Sequence, residues 1–235
     1  KVLAEIYLWH NNGFFIDWPT GFKPIPQSVM SLVQQMHQSG HLVIPYFLPL
    51  GFDTSLPTFS QTVLNNAHIG IDGNPLIVQN AHVPSHSHVI MDPTTSWWQQ
   101  LTKDIHIDLA NFGDENPNYN GVGFDGAYWD VWSGEASKLD YSKNYGHPQG
   151  GGKYWFEGER NRANLVRSAL KQINPNWIMA SEIPAEALIW PSNFLPAATV
   201  YEIAPVVVCS FTKAIDEPKA IAVTPLITMS APESR

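Results

Sequence analysis

Apolar positions recur along this chain at two spacings, one of strands and one of helices. Val2 to Trp9 is an apolar run of strand length, closed by the polar group His10-Asn11-Asn12-Gly13. Ile25, Val29, Leu32, Val33 and Met36 then recur at helical spacing. Pro26 stands near the start of this segment and Gly40 just past its end, which predicts a helix with a left-handed C-terminal cap. Leu42 to Leu48 follows as a second strand, and the order strand, helix, strand implies a parallel crossover.

From Pro49 to Ser85 the periodicity lapses. Asp72-Gly73 reads there as a hairpin turn between 69–71 and 76–78, so an elaborated loop or small subdomain over 49–87 is expected before strand three. The third strand is read at His88 to Met91. Asp92 and Pro93 are taken as N-cap and first position of a helix whose face is Trp97, Leu101, Ile105 and Leu109. Strand four is Val122 to Val131. After a Gly-rich loop at 146–152, a helix buries Leu165, Val166, Ala169, Leu170 and Ile173, with Arg160, Arg162 and Arg167 assigned to its polar face. Trp177 to Ala180 is strand five, Thr199 to Val208 strand six, and Ile221 to Thr228 a weaker seventh.

This alternation predicts an α/β fold, a TIM-type (β/α)8 barrel that is incomplete unless later chain, or an additional chain or domain, completes it. No phosphate-binding glycine signature favours a doubly wound nucleotide-binding sheet. The 235 residues suit a single barrel domain, which typically takes roughly 250. The start at Lys1 rather than Met suggests a processed product or excised piece, truncated at the C-terminus as well.

Composition narrows the partners. A net charge of −8 without any Lys/Arg cluster opposes nucleic acid and anionic membranes. No apolar run approaches the roughly 20 residues a membrane span needs. Only 14% of residues are charged, while Trp, Tyr, Asn, Gln and His are plentiful, which suits a neutral carbohydrate substrate. Cys209 is the only cysteine and lies in an apolar run, so no internal disulfide forms. The compartment stays open, leaning to extracellular or periplasmic.

Active sites of parallel barrels form where strands end, so a carboxylate closing an apolar strand stands at the mouth. Asp130 closes strand four and Glu182 follows strand five, with Glu202 and Glu186 as rivals to Glu182. Glycosidic cleavage needs such a pair, one carboxylate to attack or activate water and one acid to protonate the leaving oxygen, and no cofactor. Trp9, Trp129 and Trp132 are candidates to stack on sugar rings, and His10, Tyr46, His147 and Glu202 to contact substrate. Asp125 is a further candidate contact, although its opposite parity to Asp130 turns it toward the helical layer, where a structural role competes.

Tyr128-Trp129-Asp130-Val131-Trp132 resembles the strand-four segment of family 101 endo-α-N-acetylgalactosaminidases. That resemblance implies a nucleophile at Asp130 and an acid/base at Glu182, within Ala180-Ser181-Glu182-Ile183. His147-Pro148-Gln149-Gly150-Gly151-Gly152 and Asp92-Pro93 are similar to a group of glycosidase-related barrel proteins, over roughly residues 1 to 205. The acidic motif of family 18 chitinases would need acids where Tyr128 and Trp132 stand, so that family is excluded. Two competing readings are a non-catalytic carbohydrate-binding barrel and a metal-dependent hydrolase using the loop residues His82, His86 and His88. A His-x-His pair at the end of strand one, usual in metal-dependent barrel hydrolases, is lacking, and the expectation is no catalytic metal.

Overall fold

The computed structural model describes residues 2–7, 9–10, 18–80, 83–111, 123–130, 138–150 and 152–181, together with the backbone of 207–211. In chain order the elements are β1 (Val2–Ile6), α1 (Gln27–Gln38), β2 (Leu42–Phe47), β3 (Gly51–Asp53), α2 (Gln61–Leu64), β4 (Ile77–Gln79) and β5 (Ser87–Ile90). They continue with α3 (Ser96–Ala110), β6 (Gly126–Trp129), α4 (Lys153–Ile173), β7 (Ile178–Ser181) and β8 (Val207–Phe211). Strands β7-β6-β2-β1-β8 form one sheet, parallel throughout. The described residues give these five strands of an α/β fold and not a closed barrel.

Strand alternation gives this sheet two different faces. Ile6, Val43, Phe47, Ala127, Trp129 and Met179 point toward the helices, where Val29 and Val33 of α1, Ile105 and Leu109 of α3, and Val166 and Leu170 of α4 cover them. Fully burying a side chain such as Phe47 contributes about 1.5–3 kcal/mol, and this layer is the main core. On the opposite face Leu3, Ile44 and Ile178 make a smaller cluster with Tyr128 and Ala180. Gly126 permits the tight β2-β6-β7 packing, because a Cβ there would stand 2.3 Å from the Ile178 carbonyl and 2.7 Å from Ile44 Cγ2.

Helix α1 starts after Pro26, and Gly40 has the left-handed φ of 73° expected of its C-terminal cap. The Asp72-Gly73 turn is present, with Gly73 at φ 80° and an antiparallel bridge between Ile69 and Pro75. The run at 88–91 is placed otherwise than expected. It belongs to no parallel sheet: β5 is the middle strand of a separate antiparallel sheet, β3-β5-β4, and β2 pairs directly with β6. A short apolar run specifies a strand without specifying its partner.

Two helix readings also change. Asp92 does not cap α3; its Oδ1 accepts from the Thr94 backbone N–H (2.6 Å) and hydroxyl (2.5 Å), and the helix starts three residues later, after Thr95. Arg162, expected on an exposed face, is fully buried. Its Nε and Nη2 donate to Glu159 Oε2 at 3.1 and 2.5 Å, its Nη1 donates to the Pro49 carbonyl at 2.5 Å, and its guanidinium lies 4.9 Å from the Trp129 ring centre. Leu165 and Ile173 of the same helix, read as core, are 36% and 39% exposed. Helix α4 is rotated so that it meets α3 and the β2–β3 connection, and the buried cation is neutralised within its own turn. Gly158 allows that approach, since a Cβ there would lie 2.7 Å from Pro93 and Thr94 backbone atoms. Among the described residues no helix is long and apolar enough to cross a membrane.

Candidate active site at the strand ends

The face of the parallel sheet turned away from the helices carries a polar cluster at its C-terminal edge. Leu3, Glu5 and Tyr7 follow one another on this face along β1, Ile44 and Tyr46 along β2, and Tyr128 and Asp130 along β6, each two residues apart. The Tyr46 hydroxyl donates to Asp130 Oδ2. Tyr46 is stacked between Tyr7, with ring centres 4.7 Å apart, and Tyr128, at 6.0 Å. Burial pushes the Tyr46 phenol far up, and its bond to Asp130 adds to this, so Tyr46 remains a proton donor across the whole range where proteins are stable. Asp130 is half-buried, and its backbone N–H donates to the Phe47 carbonyl at 2.9 Å.

Glu5 joins this cluster although the sequence reading did not single it out. It is 5% exposed, and its Oε1 makes no hydrogen bond. Burial raises its carboxyl from 4.5 to about 7; a bond from Tyr7 opposes the rise and the nearby charge of Asp130 adds to it. The signal was available, because an acid amid the apolar residues of β1 with the parity of Leu3 must enter the same face as Asp130.

The other candidates are dispersed. Asp125 lies on the helix side, where its Oδ2 accepts from the Val43 N–H at 2.8 Å and pairs with His37 of α1 at 2.8 Å. Trp9 is 1% exposed among Trp18, Phe22 and Phe124, and its indole N–H donates to the Tyr46 carbonyl at 2.8 Å. Trp129 is wholly buried in the same layer. It donates at 2.7 Å to Nε2 of His106, whose pKa burial lowers to about 3 and which therefore accepts as a neutral ring. Sugar stacking needs an open ring face, and neither indole has one. His10 is buried edge-on against Trp9 and Trp18. Glu182, Glu186, Glu202 and Trp132 lie outside the described residues, as does His82.

The histidines read as a metal alternative are engaged separately. His86 Nδ1 pairs with Asp53 Oδ2 at 3.0 Å, while His88 is buried within β5, opposite Asp53 and Val78 in register. His147 is not at the strand ends. Its ring stacks on Tyr154 at 4.9 Å, beside the buried carboxylates of Asp92 and Asp140. Burial raises Asp92 to about 6 against the lowering effect of its Thr94 bonds.

Residues 1–203 match the family model described as Domain of unknown function (DUF6259). No curated protein matches the chain in sequence. Among solved structures, the α-N-acetylgalactosaminidase of Bifidobacterium bifidum in complex with GalNAc aligns with a TM-score of 0.62 at 13% identity, over 80% of this chain and 27% of that one. A quadruple mutant of the same enzyme aligns with a TM-score of 0.62 at 13% identity, over 95% and 32%. At that identity the likeness is one of fold, and this chain spans less than a third of those enzymes' length.

Proposed function

The chain belongs to the DUF6259 family, a domain of unknown function, and we propose that it carries the catalytic part of a retaining glycoside hydrolase, with Asp130 as nucleophile and Glu182 as acid and base. The observation that carries this reading is the Asp130 carboxylate at the end of β6, on the face opposite α1, α3 and α4 and held by the Tyr46 hydroxyl. A fixed, half-buried carboxylate at a parallel strand end has the position and accessibility a nucleophile needs. Trp129 pairs in register with Ser181, so Asp130 and Glu182 each follow a member of one cross-strand pair. Neighbouring strands lie about 4.8 Å apart, close to the ~5–5.5 Å carboxyl separation of retaining enzymes. The fold shared with a solved glycosidase supports the same class.

In this mechanism the Asp130 carboxylate attacks the anomeric carbon while Glu182 gives its proton to the glycosidic oxygen, and the alcohol leaves. Glu182, now ionised, then takes a proton from water; the water oxygen bonds the anomeric carbon and the Asp130–sugar ester bond breaks. Tyr46 holds the attacking carboxylate in one orientation throughout. α-Linked N-acetylgalactosaminides are the first substrates to try, since the solved enzyme sharing the fold is named for them.

The test is hydrolysis of an aryl-glycoside panel by the chain and by Asp130→Asn. Turnover that falls at least 1,000-fold in a variant with an unchanged circular dichroism spectrum supports the assignment, on the scale lost with an activated nucleophile (on the order of 10⁴-fold or more). Wild-type turnover retained in Asp130→Asn refutes it, and glycan binding without hydrolysis by the wild type would favour the carbohydrate-binding barrel instead.

A further inference from the structure

A second polar cluster lies apart from the strand-end residues, assembled from the antiparallel sheet and the segment that precedes α4. His68, Asp92 and Asp140 are 2%, 1% and 5% exposed, and each offers a ligand atom within 4.8 Å of the others'. His147 stands beside the two carboxylates, its Nε2 3.6 Å from Asp92 Oδ2 and 3.4 Å from Asp140 Oδ2.

Each member is held from behind. Asp92 Oδ1 takes the two Thr94 bonds already described, and Asp140 Oδ1 accepts from the Ile69 and Ser142 backbone N–H groups at 2.8 and 3.2 Å. His147 Nδ1 contacts the Pro148 carbonyl at 3.0 Å, an acceptor that requires Nδ1 to carry the proton. In the neutral ring Nε2 is then a bare lone pair facing two carboxylate oxygens. His147 Nε2, Asp140 Oδ2 and His68 Nδ1 are all buried without a hydrogen bond. Acceptors collected in this way repel one another unless a proton or a metal cation stands among them.

We infer that His68, Asp92, Asp140 and His147 form a binding site for one divalent transition-metal ion of the zinc class, serving a structural role. Two imidazoles with two carboxylates are a zinc-type donor set rather than a calcium-type one, which would be all oxygen. Metal–ligand bonds of about 2.0–2.1 Å in a tetrahedron put ligand atoms about 3.3–3.4 Å apart. The contacts of 3.4 and 3.6 Å are too long for good hydrogen bonds and close to that edge. Two carboxylates and a dication sum to zero charge in a buried place, and the backbone and carbonyl contacts behind the ligands supply the outer-shell support metal sites use. The ion would tie the segment carrying Asp140 and His147 to β5 and to the turn that carries His68. That segment links β6, with Asp130 at its end, to α4.

The chain, stripped with a strong chelator and dialysed, is titrated with zinc chloride alone and separately with cobalt chloride. One equivalent of tightly held zinc, a rise in Tm, and the visible absorption of tetrahedral cobalt are expected. Asp140→Asn and His147→Ala each weaken binding about 100-fold or more while keeping the far-ultraviolet circular dichroism of the apo chain. Binding below a tenth of an equivalent, cobalt spectra of six-coordinate type, or uptake unchanged in both variants overturns the assignment, as does a chain that takes calcium and not zinc. Should the variants fail to fold, zinc stoichiometry and the cobalt spectrum of the wild type decide. None of these readouts depends on glycoside turnover, so this site and the strand-end site stand or fall separately.

Discussion

Replacing Glu5 by Gln should flatten the dependence of stability on pH. Glu5 has a folded-state pKa of about 7 against 4.5 when free, so the folded chain binds this proton more tightly than the unfolded one. Its contribution to stability is therefore complete below pH 4.5, declines as pH rises toward 7, and is constant beyond. The whole shift amounts to roughly 2.5 units at 1.36 kcal/mol each, or about 3 kcal/mol, of which about 2.5 kcal/mol falls between pH 5 and 8.5. Gln keeps the shape and removes the ionisation. Urea unfolding of both proteins at several pH values between 5 and 8.5, followed by tryptophan fluorescence, gives the difference directly. Groups not coupled to Glu5 contribute equally in the two proteins, so the stability of Glu5→Gln relative to wild type should rise by about 2.5 kcal/mol across this range. Parallel profiles, separated by a constant, would show that Glu5 ionises in the folded chain as readily as in water and that its burial has no such electrostatic consequence.

Tyr46→Phe removes the hydroxyl that holds Asp130 and leaves the ring between Tyr7 and Tyr128. A hydrogen bond to a charged group is worth about 1.5–3 kcal/mol, so kcat on a glycoside should fall roughly 10- to 100-fold with KM little changed, and unaltered kcat would show that the bond does not orient the carboxylate. Glu159→Gln leaves the buried Arg162 without its counter-charge and should cost about 3–5 kcal/mol in chemical denaturation. Glu159→Gln combined with Arg162→Met should be milder than Glu159→Gln alone, and the reverse order would place the stabilisation in the Pro49 and Trp129 contacts of Arg162 instead.

The local sequence determined those features that repeat at periods of two and 3.6 residues or that need a particular backbone angle. Helix α1 with Gly40 at its end, strands β1, β2, β6 and β7, the turn at Gly73, and the opposite facings of Asp125 and Asp130 are of this kind. Each is dictated by neighbours in the chain, since side-chain direction follows from backbone geometry over a few residues. Tertiary structure alone decided which segments meet. The strand at 87–90 pairs antiparallel with 51–53 and 77–79 rather than joining the parallel sheet, a choice of partner that a short apolar run does not specify. Arg162 entered the core because α4 turned that side to α3 and the Pro49 carbonyl, a rotation that the spacing of its apolar residues left open. His68, Asp92 and the segment carrying Asp140 and His147 stand far apart in sequence; only the docking of the small sheet against the segment before α4 gathers them. Long-range contacts of this sort depend on the combined burial of many side chains, which no short window of sequence contains.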